Sequence, residues 1–266
     1  MCPYRIVFSD LDGTLLDRNG QVSEATATKI RALSAAGIPF VPVSARMPDA
    51  IYPIVERIGL VSPLVCYSGA WILGEDRQPL HSVCLAPHTV SSVLDTIARR
   101  FPGACASVYA GDRWLVYDAS EPRVRLESEI TGVVPEAGAL LDQLPPEGAH
   151  KVLCIAPGGE GGYAAATLSA LYPDLSIHLS GDTYLEIMAG EASKSNAIAF
   201  LCAERCLSLA DAVAFGDNFN DVDMLRAAGL GIAMQNAPEP VKRCADRITR
   251  SNDEDGVLAA LNELFR

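Results

Sequence analysis

Short apolar runs that stop at a polar residue alternate with helix-length stretches at both ends of this chain, and a different rhythm fills the middle. Residues 4–9 (YRIVFS) read as a buried strand cut off by Asp10. A helix is expected to start at Ser23 and run through Ala36, with Gly37 as its stop signal. Residues 38–43 read as a second strand, residues 48–58 as a helix ended by Gly59, and residues 64–67 as a third strand. Strands alternating with helices at this spacing predict a parallel sheet with right-handed crossovers. Between about His81 and Tyr184 the pattern changes to a helix (89–100), two strands around Gly111-Asp112, and a Pro- and Glu-rich stretch to Gly148. A strand (151–156), a helix (163–172) and a strand (175–180) follow, and Gly111-Asp112 and Gly181-Asp182 are hairpin turn pairs. The first rhythm resumes with a helix after Lys194, a strand at 212–215, a helix from about Asp221, a strand near 231–234 and a helix over 255–265. The reading is an α/β protein with a Rossmann-like parallel-sheet core, residues 1–82 and 185–266, and an inserted α/β domain, residues 83–184.

Charge and composition narrow the partners. The formal net charge is −12 and the 21 basic residues form no run, whereas a duplex nucleic-acid binder needs a basic stripe. An anionic substrate therefore has to be held by a local device such as a metal ion. The eight cysteines (Cys2, Cys66, Cys84, Cys105, Cys154, Cys202, Cys206 and Cys244) form no Cys-x-x-Cys pair and sit mostly in apolar segments. They read as reduced thiols used as small apolar residues, which fits a reducing cytoplasm. His81, His88, His150 and His178 are dispersed and suggest no zinc site. No segment approaches the ~20 apolar residues of a membrane span, and the N-terminal apolar stretch is too short for a signal peptide. A cytoplasmic protein with no membrane partner is expected, either a monomer or a homodimer.

Two acidic clusters follow apolar strands. In residues 9–17 (SDLDGTLLD), Asp10 and Asp12 leave the C-terminal end of the first strand. Ligands bind outside that edge in open α/β sheets. Like charges packed there are costly unless a cation or ligand offsets them. An Asp-Gly turn accounts for Asp12-Gly13 but not for Asp10. The second cluster, residues 216–221 (GDNFND), directly follows the apolar AVAF. Asp221 also suits a helix N-terminus, a reason that is weaker for Asp217 on the loop beside the strand end. If both loops leave one sheet edge, Asp10, Asp12, Asp217 and Asp221 converge into a site for a hard divalent cation resembling Mg²⁺. Lys194 follows the apparent N-cap Ser193 and opposes the helix macrodipole, so helix propensity does not explain it; a solvated lysine is the ordinary alternative. Ser44 closes the second strand, where a hydroxyl either donates to a phosphate oxygen or caps a turn.

Taken in order, DLDGT, a hydroxyl residue ending the second strand, a lysine near the end of the insert and GDxxND resemble the four-part signature of the haloacid dehalogenase-like phosphatases. The motifs GIAMQNA (231–237) and SNDEDG (251–256) resemble the Cof-like branch, with its large α/β cap. The resemblance implies that Asp10 is the nucleophile and that Asp12 protonates the leaving oxygen and then activates water, its backbone carbonyl also binding the metal. It implies that Asp217 ligates Mg²⁺, that Asp221 supports it through water or as a further ligand, and that Ser44, Lys194 and Asn220 hold the phosphoryl oxygens. The substrate implied is a small phosphorylated metabolite, selected by cap residues; Tyr109, Arg113, Trp114 and His178 are candidates that core packing explains equally well. Three departures bear on substrate orientation: Val-Ser-Ala-Arg for the usual Thr-Gly-Arg, Ser195 for Gly, and Tyr67-Ser68-Gly69 where Asn-Gly is common. A sugar phosphomutase shares this core and cap. A non-catalytic metabolite-binding module is the alternative of another class, opposed by the joint presence of Asp10, Asp12, Lys194 and Asp217.

Overall fold

A computed structural model describes residues 3–266; Cys2 lies outside the described residues. The described residues divide into two compact units, one of residues 3–46, 51–80 and 193–266, the other of residues 47–50 and 81–192.

The first unit is built on a five-stranded parallel sheet in the order Arg247–Ile248, Leu230–Ala233, Ala212–Gly216, Ile6–Ser9, Phe40–Pro42. Its central strands are buried along their whole length, as expected where helices cover both faces of a parallel sheet. Ile6 and Phe8 pack with Val41, Ala212 and Ala214, and with Ile198 and Leu201 from the Lys194–Glu204 helix. Ser23 caps the Glu24–Ala35 helix, its hydroxyl accepting from the Thr26 N–H, and Gly37 follows with φ +80°. From the Ile6–Ser9 strand the chain crosses first to Phe40–Pro42 on one side, and after the insert to Ala212–Gly216 on the other. The sheet therefore has a topological switch point between Ile6–Ser9 and Ala212–Gly216, where ligand crevices form in open α/β sheets. Beyond Phe40–Pro42, the strand Leu64–Cys66 turns back antiparallel onto Trp71–Leu73, a hairpin that the sequence reading did not contain.

The second unit is a six-stranded mixed sheet in the order Leu175–Ser180, Tyr184–Ala189, Lys151–Ile155, Cys105–Ala110, Arg113–Val116, Glu136–Ala137. Its core joins Val90, Leu94 and Ile97 of the Pro87–Arg100 helix and Ala164 and Leu168 of the Gly161–Leu171 helix to Val108, Val152, Leu185 and Ile187 of the sheet. The strand Tyr184–Ala189 pairs with both Leu175–Ser180 and Lys151–Ile155. This unit therefore extends through Ala192 rather than ending at Tyr184, because the backbone ladder and the buried Leu185 and Ile187 bind the strand to it. The Pro- and Glu-rich stretch contains the Pro122–Thr131 helix, capped by the Glu121 side chain. No helix among the described residues is long and apolar enough to cross a membrane.

Candidate active site

The strands Ile6–Ser9 and Ala212–Gly216 run parallel with Ser9 opposite Phe215, and the Asp10 N–H donates to the Phe215 carbonyl at 3.0 Å. Their following loops consequently leave the same sheet edge and carry Asp10 and Asp217 to adjacent positions. The approach is close: a Cβ on Gly13, whose φ is +80°, would lie 2.4 Å from Asp217 Oδ2. Glycine is required there for both the left-handed backbone and the space. Thr14 donates its hydroxyl to Asp217 Oδ1 at 2.7 Å, and Asn236 Nδ2 donates to the Gly13 carbonyl at 2.8 Å.

Lys194 enters from the first turn of its helix, where Ser193 accepts from the Asn196 N–H at 3.0 Å. Its Nζ reaches Asp10 Oδ1 at 2.6 Å and Asp221 Oδ1 at 2.5 Å. Lys194 and Asp221 are fully buried and Asp10 nearly so. The other oxygen of Asp221, Oδ2, accepts the N–H groups of Asp217 and Asn218, both at 2.9 Å. Asp221 is thus spent on the lysine and on closing the Phe219–Asp221 turn, and it makes no side-chain cap at the N-terminus of the Val222–Ala227 helix. Oxygens of Asp10, Asp217 and Asp221 lie within 4.8 Å of one another.

The charge in this cluster is out of balance. Burial pushes the Asp10 carboxyl well above its usual range against the lowering pull of Lys194, and Asp221, Asp217 and Asp12 add to the rise. Burial likewise pushes Asp217 up to about 6, opposed by the Thr14 hydroxyl bond. Burial would lower the Lys194 ammonium, but Asp10 and Asp221 together raise it above its ordinary value, so it remains charged. One ammonium faces three carboxyl groups, and the excess negative charge has to be met by protons or by a cation. Hard oxygen donors gathered in this way fit a divalent cation of the Mg²⁺ or Ca²⁺ kind. The second oxygen of Asp10 lies outside the lysine pair, and Asp217 Oδ2, reached by Asn236 Nδ2 at 3.4 Å, lies outside the threonine bond.

Ser44 is buried just beyond the Phe40–Pro42 strand. Its oxygen accepts the Arg46 N–H at 3.1 Å, which leaves the hydroxyl proton as a donor. Asp12 is exposed and its oxygens are not among those of the cluster; Arg46 holds them at 2.8 and 2.5 Å. Asn220 sits half-buried in the Phe219–Asp221 turn. Ser195, at one of the departures, has its N–H taken by Asp223 Oδ2 at 3.0 Å. At another, Tyr67, Ser68 and Gly69 all have positive φ (50°, 52° and 104°), a strained arrangement for the two residues that carry a Cβ. A Cβ on Gly69 would lie 2.2 Å from the Ser193 carbonyl oxygen, so this turn packs directly under the residue before Lys194. Sequence reasoning assigned no role to Arg46, Thr14, Asn236 or Asp223. Their signal was positional only, as neighbours within DLDGT, VSAR, GIAMQNA and the helix after GDNFND.

A family profile described as haloacid dehalogenase-like hydrolase matches residues 7–261 of the chain. The chain belongs to the haloacid dehalogenase-like hydrolases. Within that family it is a Cof-like phosphatase. A Haemophilus influenzae protein whose name assigns it provisionally as a phosphatase is 34% identical, over 98% of this chain and 98% of its own length. A Yersinia pseudotuberculosis protein named HMP-PP phosphatase is 28% identical, over 90% of this chain and 87% of its own. The crystal structure of a haloacid dehalogenase-like hydrolase from Bacteroides thetaiotaomicron superposes with a TM-score of 0.88 at 26% identity, covering 98% of this chain and all of that one. The acidic cluster and its lysine thus lie on the fold of that hydrolase family.

Proposed function

We propose that this phosphatase hydrolyses small phosphomonoesters in two steps through a phospho-aspartate on Asp10, with Mg²⁺ as its cation. The observation that carries the reading is the Asp10–Asp217–Asp221 cluster at the switch point, with Lys194 bridging Asp10 and Asp221. The cation would be held by Asp10, Asp217 and the Asp12 backbone carbonyl, with Asp221 supporting, and when bound it supplies positive charge against the phosphoryl oxygens and the attacking carboxylate.

In the first step a carboxylate oxygen of Asp10 attacks phosphorus, the bond from phosphorus to the ester oxygen breaks, and Asp12 gives its proton to the departing oxygen. In the second step water attacks the same phosphorus, Asp12 takes the water proton, and the bond between phosphorus and Asp10 breaks to release phosphate. Splitting one displacement into two is the general benefit of a covalent nucleophile. Lys194, Ser44 and Asn220 supply donors for the phosphoryl oxygens, since phosphoryl transfer depends chiefly on positioning and charge neutralisation. A relative from Yersinia pseudotuberculosis is named HMP-PP phosphatase, and a sugar phosphate or phosphorylated cofactor is the substrate class we propose for this chain. Substrate choice is assigned to the inserted unit, residues 83–184 in the sequence reading.

The test is phosphate release from p-nitrophenyl phosphate and a panel of phosphorylated metabolites with Mg²⁺, with and without a chelator. Metal-dependent release ranked by kcat/KM supports the reading. Release that persists unchanged in the chelator rejects the metal assignment, and interconversion of hexose phosphate isomers without phosphate release would make the protein a mutase.

A further inference from the structure

Asp12 is gripped by a residue with no part in the scheme above. Arg46 donates through Nε to Asp12 Oδ2 at 2.8 Å and through its terminal nitrogen to Oδ1 at 2.5 Å. This is the two-pronged geometry in which a guanidinium meets a carboxylate. Both Asp12 oxygens are engaged by the one guanidinium, which fixes the plane of the carboxyl group.

The pair is poorly placed to hold the fold together. The Asp12 side chain is 54% exposed and that of Arg46 21%. Exposed ion pairs contribute little to stability. The backbone of Arg46, by contrast, is fixed with care. Its N–H donates to Ser44 Oγ at 3.1 Å, and its carbonyl accepts the Tyr67 N–H at 3.1 Å. The next residue of that turn, Ser68, donates its N–H to the Ser44 carbonyl at 2.9 Å, and both Tyr67 and Ser68 hold a left-handed conformation that residues with a Cβ seldom adopt. A strained, buried turn thus clamps the residue from which the guanidinium extends.

We infer that Arg46 is a positioning residue for Asp12: its fork receives the Asp12 carboxylate once the proton has gone to the leaving oxygen, and holds it as the base that accepts the water proton. The inference rests on the acid–base assignment of Asp12 made above. It places the contribution of Arg46 on turnover of the phosphoenzyme rather than on substrate binding. Lysine cannot replace it fully, because an ammonium offers no planar fork.

The experiment is a double-mutant cycle on the full-length protein with Mg²⁺ and p-nitrophenyl phosphate, whose leaving group needs little help from an acid. The variants are Arg46→Ala, Arg46→Lys, Asp12→Asn and Arg46→Ala with Asp12→Asn, each read by kcat, KM, acid-quenched phosphoenzyme and melting temperature. Arg46→Ala should lower kcat about 10- to 100-fold, within the ~10²- to 10⁴-fold range of general acid–base help. KM should not rise, phosphoenzyme should accumulate and the melting temperature should stay near that of the parent. Arg46→Lys should recover part of kcat, and in the Asp12→Asn background Arg46→Ala should have no further effect on kcat. The inference is overturned if the loss from Arg46→Ala appears in KM with kcat unchanged, which would make it a substrate-binding group, or if the full loss persists in the Asp12→Asn background. Failure of the underlying assignment is separate: Asp12→Asn alone would then turn over at a near-normal rate. If Arg46→Ala does not fold, Arg46→Lys carries the same cycle.

Discussion

Each unit of the molecule buries a lysine against at least one carboxylate, and the two sites differ in charge and geometry. In the first unit Lys194 meets two carboxylates at 2.6 and 2.5 Å, with Asp217 close by. In the second, Lys151 stands 3.8 Å from Glu186 and 4.8 Å from the centre of the Tyr109 ring, which stacks on Trp114. A buried ion pair need not stabilise a fold, because desolvation offsets its attraction. The Lys151–Glu186 contact is the looser of the two, and Ser180 Oγ also donates to Glu186 Oε1 at 3.3 Å. At the Lys194 cluster the carboxyl groups outnumber the ammonium, and burial raises Asp10 and Asp217 above their usual range. A fold gains nothing from such an excess unless something cationic joins it. The excess of carboxyl groups at the first site is what supports the metal and phosphoryl roles proposed for it.

The contrast can be broken most directly by removing the nucleophile. Asp10→Asn should abolish phosphate release while the far-ultraviolet circular dichroism stays native; appreciable remaining turnover would refute the role of Asp10. Asp12→Asn should cost about 10²- to 10⁴-fold in kcat by loss of acid–base help, measured by steady-state kinetics on an alkyl phosphate. Next come the lysines. Lys194→Met removes one partner from a buried network and should destabilise by ~3–5 kcal/mol in metal-free denaturant unfolding. Lys151→Met should cost clearly less, and equal losses would erase the distinction drawn between the two sites.

The smallest effect is that of pH. The Asp217 carboxyl lies at about 6 in the fold against an ordinary 3.8. A raised acid binds more protons folded than unfolded between those values, so stability without metal should fall as pH rises from 3.8 to about 6. A divalent cation competes with that proton, so its apparent affinity should rise over the same interval. Thermal unfolding with and without Mg²⁺ across that range measures both trends. Metal stabilisation that weakens as pH rises would contradict the site.

Much of this was legible in the sequence because it is written in local pattern. Asp10 and Asp217 each interrupt an apolar strand at its C-terminal end, and parallel sheets bring such ends together. Ser193 is a side-chain N-cap, and its hydroxyl fixes where the Lys194 helix begins. The fork of Arg46 on Asp12 was not legible, because the two residues are 34 positions apart and nothing local specifies that arginine's partner. The same holds for Thr14 on Asp217, 203 positions away. The Pro122–Thr131 helix was missed because it buries only Val124 and shows little apolar periodicity. The domain boundary was placed too early because the turn after Ser180 marks a chain reversal, whereas the pairing of Tyr184–Ala189 with Lys151–Ile155 is a long-range contact.

The account stands on Asp10 becoming covalently phosphorylated. The decisive measurement is mass spectrometry of the Asp12→Asn variant, quenched in acid during turnover of a phosphomonoester with Mg²⁺ and digested to peptides. A single phosphoryl adduct on the peptide carrying Asp10, lost on treatment with hydroxylamine and absent without metal, is the predicted result. An adduct on any other side chain would contradict it.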